Sequence, residues 1–302
     1  MLKYRKIYYA VSGSLIVLSI LILFLFGLNL GIDFTGGSLM EISIHGSENP
    51  ITPSEIEAIL EGLGGVTLGD VRVQPSGNNF LLRFRDVDEA GHQLVLSALK
   101  DKFMGGEEEQ DALQLSESAD EGANGITLRE IRFESVGPVI GAELKQKAVQ
   151  QVILVAVGIL LYIAYAFRRV SKFKEKSNLS WKLGIIALMA LLHDVLITIG
   201  VFALLGKWFS AEVDNSFIAA IMLVFGYSVN DTIVIFDRIR ENLIKRKILP
   251  NLEEIINRSI AETMLRSVNT GSTTLLVLFT ILLFGGSSIF YFALTLIVGI
   301  IL

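Results

Sequence analysis

The chain of 302 residues contains no cysteine. That excludes disulfides, iron–sulfur clusters and thiol chemistry, and leaves the compartment of its polar part to other arguments. Histidine is nearly as scarce: His45, His92 and His193 stand far apart and form no metal-ligand spacing. A GxxxxGK(S/T) phosphate loop is missing as well, so the chain is not expected to hydrolyse a nucleotide itself. None of these patterns points to an enzyme, a cofactor, a metal or a nucleic-acid partner. The formal net charge of −5 says little, because the charges are unevenly placed.

What abounds is apolar surface: 52% of residues are hydrophobic and the mean hydropathy is +0.57, above the soluble norm. About 20 apolar residues cross a bilayer as a helix. Such runs predict spans at Ile7–Leu28, Val149–Phe167, Leu183–Leu205, Phe217–Phe236, Thr273–Phe284 with its polar lead-in, and Ile289–Leu302. The last is short and ends abruptly, which reads as a cut inside a sixth helix. The first lacks a small-residue cleavage site before Gly31 and is longer than a signal-peptide core, so it is expected to stay as an anchor. Basic residues cluster at Lys3, Arg5 and Lys6, between Arg168 and Lys182, and between Arg238 and Arg266, whereas the loop near Lys207 carries Glu212 and Asp214. By the positive-inside rule the N-terminus is cytoplasmic and the region from about Asn29 to Lys147 lies outside. The organisation expected is a first span over 1–28, an extracytoplasmic domain over 29–147, and spans two to six over 148–302.

The outer region reads as an α+β domain. Ser38–His45 alternates as a half-buried strand does. Pro53–Gly64 carries Ile56, Ile59, Leu60 and Leu63 at helical spacing. Asp70–Pro75 and Phe80–Arg85 flank SGNN, a hairpin signal. A second helix is predicted over Asp88–Phe103, then an acidic, glycine- and serine-rich loop, then a strand within Ile126–Val136. The order β-α-β-β-α-β is that of the ferredoxin-like split βαβ.

Three features interrupt the apolar runs. Asp231, next to Asn230 in GYSVNDTIVIF, places a carboxylate in a span, where an ionised side chain costs at least about 2.5 kcal/mol and must face protein or water. Proton carrying or ion coupling would explain it; capping of the helix or pairing with an arginine is the alternative. Asp194, in LLHDVLITIG, shares a helical face with Thr198, while His193 points about 100° away. A packing or helix-pairing hydrogen bond would account for that pair as well as titration would. Arg266, Asn269, Thr270 and Thr273 recur as a polar stripe on an apolar helix. Arg266 could face Asp231 or snorkel to the headgroups. Asp237, Arg238, Arg240 and Glu241 read as a charged, solvated helix end. Gly226 and Ser228 are small enough for close helix contact.

The stretches LGIDFTGGSLMEI (Leu30–Ile42), ESVGPVIGAELKQKA (Glu134–Ala148), LHDVLIT (Leu192–Thr198) and GYSVNDTIVIFDRIREN (Gly226–Asn242) resemble the SecF family. That family is one half of the bacterial protein-export accessory SecD–SecF, and the resemblance runs over the whole chain. The sister family SecD is similar in its membrane half but shows a GLDLxGG pattern and a larger outer region. The resemblance implies a polytopic α-helical, RND-like membrane fold in the cytoplasmic membrane, paired pseudo-symmetrically with SecD. It also implies a place beside the SecYEG channel, with SecA acting earlier, YajC as a further neighbour, membrane lipid around the spans, and unfolded preprotein as the load. The implied work is mechanical: the proton gradient would drive late stages of export. The family's intramembrane carboxylate maps to Asp231, with Asn230 beside it, and its fifth-helix arginine to Arg266; no role is carried over to Asp194. The outer domain would move on hinges at Gly31, Gly36 and Gly37 and at Gly137 and Gly141, where glycine permits unusual backbone angles. The truncated sixth helix and the acidic outer loop depart from the family pattern. An RND-type small-molecule antiporter half and a purely structural scaffold for SecD are the rival functions.

Overall fold

The computed structural model describes residues 4–46, 50–76, 79–105, 126–166, 179–245 and 252–302. The elements run α1 (Arg5–Phe26), α2 (Ile32–Thr35), β1 (Gly37–His45), α3 (Pro53–Glu61), β2 (Arg72–Ser76), β3 (Asn79–Phe84), α4 (Glu89–Lys100) and β4 (Thr127–Val136). Then follow α5 (Pro138–Ala166), α6 (Leu179–Phe209), α7 (Asn215–Lys245), α8 (Leu252–Phe284) and α9 (Ser287–Ile301). The chain divides into two compact units, residues 31–146 and residues 1–30 with 147–302.

The smaller unit is an α+β domain with a four-stranded sheet in the order β2-β3-β1-β4. All of its pairings are antiparallel, and with α3 and α4 between the strands this is the expected split βαβ. Helix α3 starts on a capping box: Thr52 and Glu55 exchange hydrogen bonds, and Pro53 sits where its missing N–H costs nothing. Asp88 caps α4 by accepting from Gly91 N at 2.9 Å. Met40, Ile42, Ile56, Leu60, Leu82, Val95 and Leu99 fill the core, all at most 1% exposed.

Two expectations need correction here. Strand β1 is not half-buried: every residue from Ser38 to Ser43 is buried, with Met40 and Ile42 in the apolar core and Leu39, Glu41 and Ser43 covered on the other face as well. Its polar residues are served individually, Ser38 donating to Ser135 Oγ and Glu41 accepting from Asn79 Nδ2 at 2.8 Å. The helix predicted over Asp88–Phe103 gives way after Lys100 to a π-helical turn, Asp101–Gly105. The acidic loop and the tip of the SGNN hairpin lie outside the described residues. A short helix that sequence periodicity did not suggest, α2, precedes β1.

The glycine pair before β1 is packed rather than open. Gly36 and Gly37 adopt φ of 75° and 120°. A Cβ on Gly36 would lie 2.7 Å from Pro138 Cα, and one on Gly141 would lie 2.9 Å from Gly36 N. Backbone therefore meets backbone where α2 abuts the first turn of α5. By contrast, a Cβ on Gly137 would meet nothing within 4 Å.

The larger unit is helical. Among the described residues five helices, namely α1 and α5 to α8, are long and apolar enough to cross a membrane, and α9 is a shorter apolar helix. Most begin or end beyond the runs predicted from hydropathy: α5 starts at Pro138 rather than Val149, and α7 continues past Phe236 to Lys245. Close approach sets the packing of α1 on α6, where a Cβ on Gly200 would fall 2.4 Å from Ser19 Cβ. Helices α7, α8 and α9 share a core of Ala220, Val224, Leu278, Leu296 and Ile297. Phe202 of α6 packs on Phe217 of α7 with ring centroids 4.4 Å apart.

Candidate functional site

Asp231 stands sixteen residues after the start of α7 and fourteen before its end at Lys245. It therefore caps neither terminus, and its carboxylate needs a partner from another helix. Ser267 of α8 supplies one, donating to Asp231 Oδ1. The two residues border a cavity of about 300 Å³ within the helical unit, lined also by Asp194, Ser228, Asn230, Arg266, Thr270 and Gly299. Helices α6, α7, α8 and α9 thus all contribute to its wall.

Of the residues singled out in the sequence, Asp231, Asn230, Arg266, Asp194 and Thr270 meet at this cavity. Asn269 and Thr273 do not, so the polar stripe on α8 divides. Its threonines mostly satisfy themselves: Thr270 Oγ1 donates to Arg266 O at 2.9 Å and Thr273 Oγ1 to Asn269 O at 3.1 Å. Such bonds to the preceding turn remove the cost of a hydroxyl in an apolar helix without joining two helices. Among the described residues no ion pair joins Arg266 to Asp231; the guanidinium and the carboxylate border the same space from adjacent helices.

Asp194 departs from the expected pairing. Thr198 does lie one turn along α6, but its hydroxyl donates to the Asp194 backbone carbonyl at 2.8 Å, not to the carboxylate. The carboxylate turns instead to His193 Nδ1 at 2.8 Å and accepts from Ser228 Oγ of α7 at 2.7 Å. His193 Nε2 is buried and has no hydrogen-bond partner among the described residues. A hydrogen there would be unsatisfied, so hydrogen-bond accounting places the ring hydrogen on Nδ1, donating to Asp194.

Sequence reasoning passed over Ser228 as a partner, and over Ser267 and Tyr227 entirely. Tyr227 Oη donates to Thr270 O at 3.0 Å and contacts Thr274 Oγ1, tying α7 to α8 just beside Asp231. The stretch Asp237–Glu241, expected as a solvated end, is in part a clamp between helices. Arg238 Nε donates to Glu262 Oε2 of α8 at 2.6 Å, and Asn242 Nδ2 reaches Ser259 Oγ and Glu262 Oε2 at 2.9 and 3.0 Å.

In the α+β domain, His92 is buried with its Nε2 3.0 Å from Glu130 and its Nδ1 3.2 Å from Glu89, its ring stacked on Phe133. Hydrogen bonds from Gln93 and His92 hold the Glu89 carboxyl below the usual carboxylate range. Burial, with Arg72 nearby, pushes the Arg83 guanidinium down to about 10. Among the described residues no three His, Asp or Glu side chains gather as metal ligands.

Known proteins resemble this chain along its length. A family model described as protein export membrane protein SecD/SecF, C-terminal, matches residues 117–302, and one for the SecD/SecF GG motif matches residues 21–47. The protein translocase subunit SecF of Thermobaculum terrenum is 36% identical over 299 residues, covering 99% of this chain and 87% of that one. The subunit SecF of Haemophilus influenzae is 35% identical over 99% of this chain and 79% of its own. The crystal structure of SecDF, a translocon-associated membrane protein from Thermus thermophilus, matches with a TM-score of 0.74 and 30% identity, covering 99% of this chain and 36% of that longer chain. The chain therefore belongs to the SecD/SecF family of protein-export membrane proteins.

Proposed function

We propose that the chain is the SecF-type subunit of a protein-export machine, and that Asp231 takes up and releases protons to drive rearrangement of its helices. The observation that carries this reading is the shared cavity: a carboxylate in the middle of α7 and a guanidinium on α8 border one space, with a serine hydroxyl as the acid's partner. A hydroxyl suits an acid that changes state, because it donates to the carboxylate and can turn to accept from the protonated acid. Moving one charge through 100 mV is worth about 2.3 kcal/mol, enough for a few protons to bias a two-state motion.

In this reading the basic clusters hold the N-terminus in the cytoplasm of a bacterial inner membrane, and the α+β domain stands outside. A SecD partner is its nearest neighbour. The SecYEG channel, SecA, YajC and the unfolded preprotein act with the pair at a late stage of export, and motion passes to the α+β domain through the segments around Gly31–Gly37 and Gly137–Gly141. The chemistry is mechanical coupling, with no covalent bond made.

The test is Asp231→Asn in vesicles containing SecD and SecYEG, with SecA present, measuring preprotein translocation with and without a proton gradient. The gradient-dependent part is expected to vanish while the subunits still co-purify. Full gradient dependence in an assembled D231N complex would sink the coupling role and leave a scaffold.

A further inference from the structure

We propose that the cavity holds a single exchangeable proton, and that Asp194 is the fixed negative charge that keeps that proton on Asp231. This rests on the coupling role of Asp231 argued above and adds its regulator. Asp194 is a positioning residue: it would act through Asp231 and not on the load.

The argument is one of charge. The ionisable side chains that border the cavity among the described residues are Asp194 from α6, Tyr227 and Asp231 from α7, and Arg266 from α8, while Gly299, Ile300 and Leu302 bring side chains that do not ionise. His193, beside Asp194, carries its hydrogen on Nδ1 and is neutral in that tautomer. Two carboxylates against one guanidinium balance only when one proton is bound. A net charge held between membrane-spanning helices is costly even beside polar side chains, so the balanced state is the resting one.

Which carboxylate carries the proton follows from their partners. Asp194 accepts two hydrogen bonds from separate groups, His193 Nδ1–H and Ser228 Oγ–H, at 2.8 and 2.7 Å. Each favours the ionised form. Among the described residues Asp231 has one donor, Ser267, whose hydroxyl can reverse. The proton therefore belongs to Asp231. Ser228 lies one helical turn from Asp231 on α7, so Asp194, bound to Ser228, stands within about 10 Å of the titrating acid. Its charge also answers how the proton is retained although Arg266 borders the same space: without Asp194, the guanidinium and an ionised Asp231 would already balance.

The experiment is infrared difference spectroscopy of the complex with SecD, following the carbonyl band of a protonated carboxylic acid against pH. Wild type, Asp231→Asn, Asp194→Asn and Asp194→Glu are compared, each checked for co-purification with SecD. The Asp231→Asn variant is expected to remove one band. The Asp194→Asn variant is expected to keep that band but move its midpoint to lower pH by about one unit, the size set by a like charge near 10 Å at an effective dielectric near 20. The Asp194→Glu variant, which restores the charge, should bring the midpoint back toward wild type.

If Asp231→Asn leaves every band in place, the coupling role of Asp231 itself fails. If Asp231→Asn removes a band but Asp194→Asn leaves its midpoint unmoved, the coupling role survives and the fixed-charge role of Asp194 is overturned. A band abolished by Asp194→Asn alone would place the proton on the wrong acid and overturn it too. Should Asp194→Asn fail to assemble, Ser228→Ala keeps both carboxylates and loosens Asp194; a shift in the single band's frequency as the proton passes in part to Asp194 supports the assignment, and an unchanged spectrum overturns it.

Discussion

Replacing Gly36 by alanine separates a packed glycine from a free hinge. Gly36 has φ 75° and ψ 168°, a conformation nearly reserved for glycine. Holding alanine there costs about 1–3 kcal/mol. The new methyl would also lie 2.7 Å from Pro138 Cα and 3.0 Å from Pro138 N. Carbon atoms prefer 3.5–4.0 Å, so the gap must open by roughly 1 Å. The obstacle is backbone, which cannot swing aside as a side chain does, and overpacking of this kind costs about 1–3 kcal/mol more. Even the low ends together give about 2 kcal/mol, close to a 30-fold change in a local opening equilibrium. Hydrogen exchange with mass spectrometry on the full-length protein reads this directly, at the Gly36 amide that donates to Ile32 O at 2.8 Å and the Gly141 amide that donates to Gly137 O at 3.0 Å. Peptides covering both are expected to lose protection by at least that factor. Gly137→Ala is the internal control, since its methyl would meet nothing within 4 Å and should change exchange little. If Gly36→Ala exchanges like wild type, or Gly137→Ala loses as much, the packed-backbone account is wrong and the segment is an open hinge.

Further outcomes follow from other contacts. Asp88→Ala removes the cap on α4 and is expected to lower the stability of the α+β domain by about 1 kcal/mol, seen as a lower thermal midpoint. Glu89 has its carboxyl held down by Gln93 and His92, so its stabilising contribution is present above the ordinary carboxylate range and is lost as pH falls through the folded value. Glu89→Gln should accordingly flatten the acid side of the domain's stability profile, and an identical profile would contradict the sign. Gly200→Ala puts a methyl 2.4 Å from Ser19 Cβ and must push α1 from α6. A cost of about 1–3 kcal/mol is expected, and an unmoved unfolding midpoint in detergent would refute it.

The domain was legible because its signals are local. Alternation, helical spacing and the SGNN turn place β1, α3, β2, β3, α4 and β4 within a few residues of where they lie, and the split βαβ order follows from their sequence. What escaped is what depends on neighbours. The burial of both faces of β1 depends on what the rest of the chain lays against them, which no single strand states. Hydropathy likewise finds the part of a helix that suits a bilayer, not the helix. Backbone hydrogen bonding continues through polar residues, so α5 runs back to Pro138 and α8 to Leu252 through sequence that a span search discards.

The same distinction governs the site. Asp231, Asp194 and Arg266 announce themselves, because a charge in an apolar run is costly and so has a cause. Hydroxyls do not. Thr198, Thr263, Thr270, Thr280 and Thr295 each return their hydrogen to a carbonyl one turn back, and a helix full of such residues needs no partner. Ser228 and Ser267 look identical to these in sequence, yet they cross to another helix and end on the two carboxylates. A hydroxyl closed on its own helix is spectator to any rearrangement, since its bond moves with it. One that spans two helices must break or turn when they separate. In the proposed coupling the contact sensitive to a proton is therefore Ser267 on Asp231, whose protonation would turn the hydroxyl that joins α7 to α8, while Ser228 stays on the ionised Asp194.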